Sequence, residues 1–233
     1  MARPFLLEIS VQTVEAAQAA ERGGADRIEL CADLSVGGLT PTCEQLQDVR
    51  RKIRIPIFSM IRPRAGNFVY SAAEFEEMKG NVASAKECGM DGVVLGILRE
   101  DRSVDIERTR ELVEVARPLP VTFHRAFDEC ADLRGALDQV IGTGAKRILT
   151  SGGAKSALEG AVNLKDLVKA AGNSVTVLPG AGINAGNIKQ VAAQTGAREF
   201  HSGLSSALPY SGRDHQKLEI EVGRLVERLK SLS

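Results

Sequence analysis

Short runs of apolar and β-branched residues alternate along the chain with longer segments in which apolar residues recur every three or four positions. The short runs predict eight strands, at residues 5–11, 27–31, 56–62, 92–98, 121–126, 147–150, 175–178 and 199–202. The longer segments predict eight helices, at residues 14–21, 43–52, 73–87, 105–116, 133–143, 157–170, 185–194 and 218–229. Strands and helices that alternate in this way form parallel βαβ units.

Eight consecutive units of this kind predict one (β/α)8 TIM barrel, a single domain over residues 1–233. Glycines such as Gly144 and Gly196 stand where predicted helices end, as C-terminal caps. An open doubly wound sheet is the main structural alternative. Its first strand–helix turn usually carries a glycine-rich phosphate loop, whereas residues 10–14 here read Ser-Val-Gln-Thr-Val. The barrel is therefore favoured.

Composition narrows the range of partners. Hydrophobic residues make up 43% of the chain and charged residues 26%, which is typical of a globular protein. Because 30 basic residues balance 30 acidic ones, we expect neither a nucleic-acid nor a membrane partner. The start of the chain lacks the apolar run of a signal peptide, so a cytoplasmic location is expected. The four cysteines contain no CxxC pair, which argues against a disulfide framework and a zinc knuckle.

The alternation within strands predicts which side chains point into the barrel, because their neighbours in sequence are apolar and face the helices. Five ionisable residues fall on the inward phase of five different strands: Glu8, Glu29, Arg62, His124 and His201. TIM barrels work at the carboxyl ends of their strands, and clustered buried charges are typical of active sites. The structural alternative is an internal ion-pair network in which every charge is satisfied.

Two glycine-rich loops follow the seventh and eighth strands, where many barrels bind phosphate. They predict a candidate anion site formed by Gly180, Gly182, Ser202 and Gly203, although glycines there also serve tight turns. The loop at residues 62–71 combines arginines with Phe68 and Tyr70 and is a candidate lid. Residues 205–215 are rich in serine and glycine, and we expect them to stay mobile without a ligand.

The residues alone therefore support an enzyme that acts on a small anionic or phosphorylated metabolite. In this hypothesis His124 or Glu29 exchanges protons and Arg62 holds the anion. The cysteines raise a second hypothesis, which is metal binding. Cys31 ends the second strand beside Glu29, and Cys130 follows the fifth strand near the same barrel mouth. Thiolate sulfur is a ligand that Cu(I) prefers.

Several segments resemble the CutC family of copper homeostasis proteins. They are residues 7–9 (LEI), 24–31 (GADRIELC), 37–41 (GGLTP), 61–64 (IRPR), 120–128 (PVTFHRAFD), 149–152 (LTSG) and 199–202 (EFHS). The resemblance implies a cytoplasmic, homo-oligomeric TIM barrel that acts in copper homeostasis and binds Cu(I) through cysteine. Cys31 is the copper ligand it implies, so copper homeostasis is the function we predict and the enzyme is the alternative. Relatives often carry cysteine where this chain has Ser10, so one thiolate of a two-sulfur site is missing here.

Overall fold

The computed structural model of the chain describes residues 4–204 and 214–232. Eight strands run through the described residues: β1 Leu6–Val11, β2 Arg27–Leu30, β3 Ile57–Met60, β4 Gly92–Leu95, β5 Val121–Phe123, β6 Arg147–Thr150, β7 Thr176–Pro179 and β8 Glu199–Ser202. Eight α-helices alternate with them: α1 Val14–Arg22, α2 Cys43–Lys52, α3 Ala72–Glu87, α4 Ile106–Ala116, α5 Leu133–Thr143, α6 Ala161–Ala171, α7 Ile188–Thr195 and α8 His215–Lys230.

The strands form one parallel sheet in which β1 pairs with both β2 and β8, and each later strand pairs with the next as far as β7. The two ends of this sheet, β7 and β8, lie side by side, so the barrel is nearly closed. The predicted (β/α)8 barrel is confirmed. The register places Glu8 opposite Arg27 and Ser10 opposite Glu29, which brings the polar inward positions of β1 and β2 together.

Most predicted boundaries agree with the structure, and the differences have local causes. Helix α2 begins with a capping box between Thr42 and Gln45, and Gly144 and Gly196 end α5 and α7 at positive φ. Strands β3, β4 and β5 end earlier than predicted because the chain turns there into loops at the barrel mouth. Helix α6 begins at Ala161 because residues 157–160 form a turn tied to the β7–α7 loop.

Apolar residues pack on both sides of the sheet. Leu7, Ile9, Ile28 and Leu30 are buried toward the helices, as the alternation predicts. A smaller cluster fills the barrel interior with Cys31, Phe58, Met60 and Val94. Gly92 leaves the room that Phe58 needs, because a Cβ atom there would lie 2.6 Å from the Phe58 ring.

Within the described ranges, no helix has the length and apolar character needed to cross a membrane. The sequence predicts that residues 205–215 are mobile. Of these, residues 205–213 lie outside the described residues. The other two, Asp214 and His215, form the N-cap and first residue of α8.

Candidate active site

A cavity of about 500 Å³ opens at the carboxyl ends of the strands. This volume lies within the range of about 300–1,000 Å³ that small-molecule sites usually have. Four of the predicted inward residues line it: Glu29, Arg62, His124 and His201. Glu8, the fifth, is fully buried and contacts His201 from the barrel interior. The structure thus brings all five side chains into one connected region.

Glu8 is held between two basic side chains. Its Oε2 accepts a hydrogen bond from Nε of Arg27, and its Oε1 lies 2.8 Å from Nδ1 of His201. Burial alone would raise the pKa of Glu8, but the charges and hydrogen bonds of Arg27 and His201 outweigh it and lower the pKa to about 2. Glu8 is therefore an ionised anchor that orients His201.

Beneath the cavity, two arginines stack against one aromatic ring. The guanidinium groups of Arg27 and Arg147 lie 4.7 and 5.1 Å from the Phe58 ring centroid. Both arginines also donate to Oε2 of Glu199, each over 3.0 Å. These contacts make a charged floor for the cavity. Glu199 belongs to this floor and does not line the cavity.

Glu29 and His201 are neighbouring ionisable groups in the cavity lining. Nε2 of His201 lies 3.9 Å from Oε2 of Glu29, and Cys31 donates to the same oxygen over 3.5 Å. Burial raises the pKa of Glu29, aided by the negative charge of Glu8. For His201, burial acts to lower the pKa, but the two glutamates outweigh it and raise it. Among the described residues, Oε1 of Glu29 is buried without a hydrogen-bond partner.

His124 differs from Glu8 and His201 in its protonation state. Its Nδ1 accepts from the backbone N–H of Ala126 over 3.2 Å, so the neutral ring carries its proton on Nε2. Nε2 is buried, and no residue in the described part of the chain bonds it. Burial, reinforced by the charge of Arg62, lowers the pKa of His124 to about 3. His124 is therefore a neutral hydrogen-bond donor, and of the two proton-exchanging residues proposed from sequence, the geometry favours Glu29.

Arg62 connects two loops at the cavity wall, β2–α2 and β3–α3. Its Nη1 donates to the carbonyls of Val36 and Gly38, and its Nη2 donates to that of Gly66. Phe68 of the predicted lid packs between Arg62 and His124, 4.9 and 4.8 Å from them. Within residues 4–204 and 214–232, Nε of Arg62 is buried without a partner, and no carboxylate pairs with this charge.

The glycine-rich loops contribute unevenly to the predicted anion site. Gly182 and Gly203 line the cavity, and Gly182 adopts a φ of 71°. Gly180 instead donates its N–H to the Thr150 carbonyl of β6, and the Ser202 hydroxyl donates to the Ile183 carbonyl. Ala181, which the sequence did not single out, also lines the cavity and has a φ of 73°.

Cys31 lies inside the barrel and is 1% exposed. Burial raises its pKa well above the ordinary value, and the negative charge and hydrogen bond of Glu29 raise it further. Met60 belongs to the same interior cluster, whereas Ser10 stands on the neighbouring strand and lines the cavity. Cys130 donates to the Ala126 carbonyl and lines no wall of this cavity.

The chain matches one family of known proteins. The family model described as "CutC family" matches residues 5–206. The human copper homeostasis protein cutC homolog is 48% identical over 205 residues, which cover 88% of this chain and 75% of the human protein. The chain belongs to the CutC family. A CutC protein of Xanthomonas campestris is 42% identical over 234 residues, covering 96% of this chain and 98% of the relative.

A solved CutC structure from Streptococcus agalactiae has the same barrel. It superimposes with a TM-score of 0.80 at 32% sequence identity and covers 85% of this chain and 98% of its own. The CutC resemblance read from the sequence motifs is therefore confirmed. The names of the relatives associate this family with copper homeostasis.

In this CutC barrel, ligand atoms of Glu8, Glu29 and His201 lie within 4.8 Å of one another, close enough to hold a metal ion. Arg27 already neutralises Glu8, and the Glu8–His201 hydrogen bond occupies a nitrogen and an oxygen of the cluster. The structure therefore explains these charges as an ion-pair network, and we assign no cation to them.

The buried state of His124 predicts an unusual dependence of stability on pH. Because its folded pKa is about 3 and the ordinary pKa of histidine is 6.5, the unfolded chain binds more protons between these values. The free energy of unfolding should fall as pH drops from 6.5 toward 4, and His124→Asn should reduce that slope by up to about 1.4 kcal/mol per pH unit. Urea unfolding at a series of pH values measures this slope. His215→Asn, in the first turn of α8, is the control expected to keep the wild-type slope; equal slopes in all three proteins would contradict a neutral, buried His124.

Proposed function

We propose that this CutC protein is an enzyme that acts on a small anionic metabolite by proton transfer at the C-terminal face of its barrel. One observation carries the proposal. Three side chains that line the same cavity each keep a buried polar atom that no described residue bonds: Oε1 of Glu29, Nε of Arg62 and Nε2 of His124. An unsatisfied buried polar group costs about 1–3 kcal/mol, so a set of three facing one cavity favours a polar ligand.

The anion part of the proposal rests on the kind of groups that are left unpaired. Arg62 and His124 both offer N–H donors, and Arg62 adds a positive charge with no carboxylate paired to it among the described residues. A carboxylate or phosphate oxygen is the acceptor that suits them. Both N–H groups of Nη1 and one of Nη2 already donate to loop carbonyls, so the buried Nε and the positive charge are what the proposal assigns to the anion.

The chemical part rests on Glu29 and His201. A general acid or base works best when its pKa lies near the working pH, and burial raises the pKa of Glu29 in that direction. Nε2 of His201 lies 3.9 Å from Oε2 of Glu29, too far for a hydrogen bond, so His201 acts on Glu29 through its charge. Glu29 is the residue that we assign to give or take the substrate's proton, with His201 and Glu8 setting its charge.

A binding screen tests the proposal. Wild-type protein is melted in the presence of inorganic phosphate, simple carboxylates, hydroxy and keto acids, and sugar phosphates. A true ligand at 100 times its Kd should stabilise the fold by about 2.7 kcal/mol. Arg62→Gln should lose that stabilisation, whereas Arg64→Gln should keep it, because Arg64 is on the same loop but bonds Glu74 and lies outside the cavity lining.

Arg62 also holds loops, so His124→Asn is included as a second cavity variant that leaves those carbonyl contacts in place. Loss of the ligand-induced shift in both cavity variants supports the proposal. If no compound stabilises the wild type, or if a stabilising compound acts equally on all three variants, the proposal is wrong.

Binding of Cu(I) through Cys31 is the second candidate function. It is favoured by the names of the relatives and by Met60, whose thioether belongs to the same interior cluster as Cys31. Two features oppose it: Cys31 is a fully buried thiol whose pKa is raised, and the other three cysteines lie elsewhere. The acid–base proposal accounts for more of the cavity side chains.

Competition titration with a Cu(I) chelator separates the two functions. If Cys31 binds copper, Cys31→Ser should weaken Cu(I) binding by at least an order of magnitude, while Cys130→Ser should not. Both variants also carry Cys43→Ser, so that the surface thiols do not contribute. Equal and weak binding in the two proteins would end the Cys31 hypothesis.

The cytoplasmic location and the homo-oligomeric state implied by the family resemblance remain predictions. The same holds for the expected absence of nucleic-acid and membrane partners. Cell fractionation and light scattering of the purified protein are the direct measurements of the first two.

A further inference from the structure

Two cysteines outside the cavity are in direct contact. The Sγ atoms of Cys43 and Cys88 are 2.8 Å apart, although 45 positions separate the residues in sequence. Both are free thiols in the structure. A disulfide requires about 2.05 Å between the sulfurs, so a shift of less than 1 Å would bring this pair to bonding distance.

The two thiols differ in access and environment. Cys43 is the first residue of α2 and is exposed, and its sulfur accepts a hydrogen bond from Nε2 of Gln47 over 3.4 Å. Only an accessible sulfur can exchange with an external disulfide. Cys43 is therefore the thiol that an external reagent can reach first.

Cys88 is the C-cap of α3 and only 7% exposed. Burial raises its pKa to about 11, and the sulfur of Cys43 contributes to the rise. On its own it should react slowly with external reagents. Its contact with Cys43 makes it the natural second thiol once Cys43 carries a leaving group.

We propose that Cys43 and Cys88 form a reversible disulfide by exchange with a low-molecular-weight disulfide such as oxidised glutathione. The Cys43 thiolate attacks one sulfur of the oxidant, forms a mixed disulfide and releases one glutathione thiolate. Cys88 then loses its proton to water, and its sulfur attacks that of Cys43 and releases the second glutathione. Two protein thiols are oxidised by two electrons and one disulfide is reduced to two thiols.

The product would join the first turn of α2 to the end of α3. A link of this kind stabilises the fold by restricting the unfolded chain, so oxidation should raise Tm by several degrees. The site is independent of the cavity chemistry, because neither cysteine lines the cavity.

The full-length protein is equilibrated in glutathione buffers from fully reduced to fully oxidised, quenched with acid and alkylated after unfolding. The reduced protein has four free thiols, and we expect this number to fall to two in one two-electron transition. Peptide mapping should find the Cys43–Cys88 link. Cys31→Ser and Cys130→Ser should each still lose two thiols, whereas Cys43→Ser and Cys88→Ser should lose the intramolecular link and the rise in Tm.

The proposal is wrong if the wild type keeps four thiols at every glutathione ratio. It is also wrong if oxidation stops at a glutathione adduct on Cys43, or if the link that forms joins Cys31, Cys130 or a second chain. Because Cys43 is exposed, Cys43→Ser is expected to fold normally, which keeps the comparison valid even if Cys88→Ser does not.

Discussion

Replacing Arg27 with methionine is expected to lower the free energy of unfolding by about 3–5 kcal/mol. Glu8 and Arg27 are 0% and 2% exposed, and the substitution leaves the Glu8 carboxylate buried without its main cation. The loss also removes one of the two guanidinium groups stacked on Phe58 and one partner of Glu199. Urea unfolding at neutral pH, where Glu8 is ionised, measures the difference.

An exposed ion pair provides the control for this prediction. Arg22 pairs with Glu219 at 2.8 Å, but its side chain is 54% exposed, so Arg22→Met should cost less than about 1 kcal/mol. The double variant Arg27→Met with Glu8→Gln should recover part of the loss, because it no longer buries an unpaired charge. Similar small losses for Arg27→Met and Arg22→Met would show that Glu8 does not depend on Arg27.

Replacing Glu29 with glutamine should lower proton transfer by a factor of about 10²–10⁴. Glutamine has nearly the same shape and can still accept from the Cys31 thiol, but it cannot exchange a proton at this position. The measurement is deuterium incorporation from D2O into the anion that stabilises the wild type, followed by NMR. The expected result is exchange in the wild type and its near loss in Glu29→Gln.

Glu44→Gln, on the exposed first turn of α2, is the matched control and should retain the wild-type exchange rate. Ligand-induced stabilisation should persist in Glu29→Gln, which separates loss of chemistry from loss of binding. Exchange at the wild-type rate in Glu29→Gln would remove Glu29 from the reaction, even if the cavity still binds the anion.

The barrel was predictable because the alternation of apolar and polar residues that specifies its strands is local in sequence. Alternating apolar residues in β1 and β2 place Leu7, Ile9, Ile28 and Leu30 toward the helices, and this leaves Glu8 and Glu29 inside. Strand ends were less predictable. The apolar residues after Met60 and Leu95 continue the strand pattern, but there the chain already turns into the loops that surround the cavity.

The partners of the inward residues were not predictable, because they depend on register between strands and on loop contacts. The sequence does not reveal that Arg27 stands opposite Glu8, or that Arg147 shares Phe58 with it from across the barrel. It also does not reveal that Phe68 reaches His124, or that Cys43 meets Cys88. Arg27 stands two positions before Glu29 on β2 and therefore shares its inward phase. That alternation could have identified Arg27 as an inward residue.

A crystal structure of the wild type with the most strongly stabilising anion of the screen is the most direct test of the cavity as a working site. The account predicts the anion at the barrel mouth, within hydrogen-bond distance of Nε of Arg62 and Nε2 of His124, with Glu29 facing it. An anion bound elsewhere, or Glu29, Arg62 and His124 directed toward separate surfaces, would contradict it.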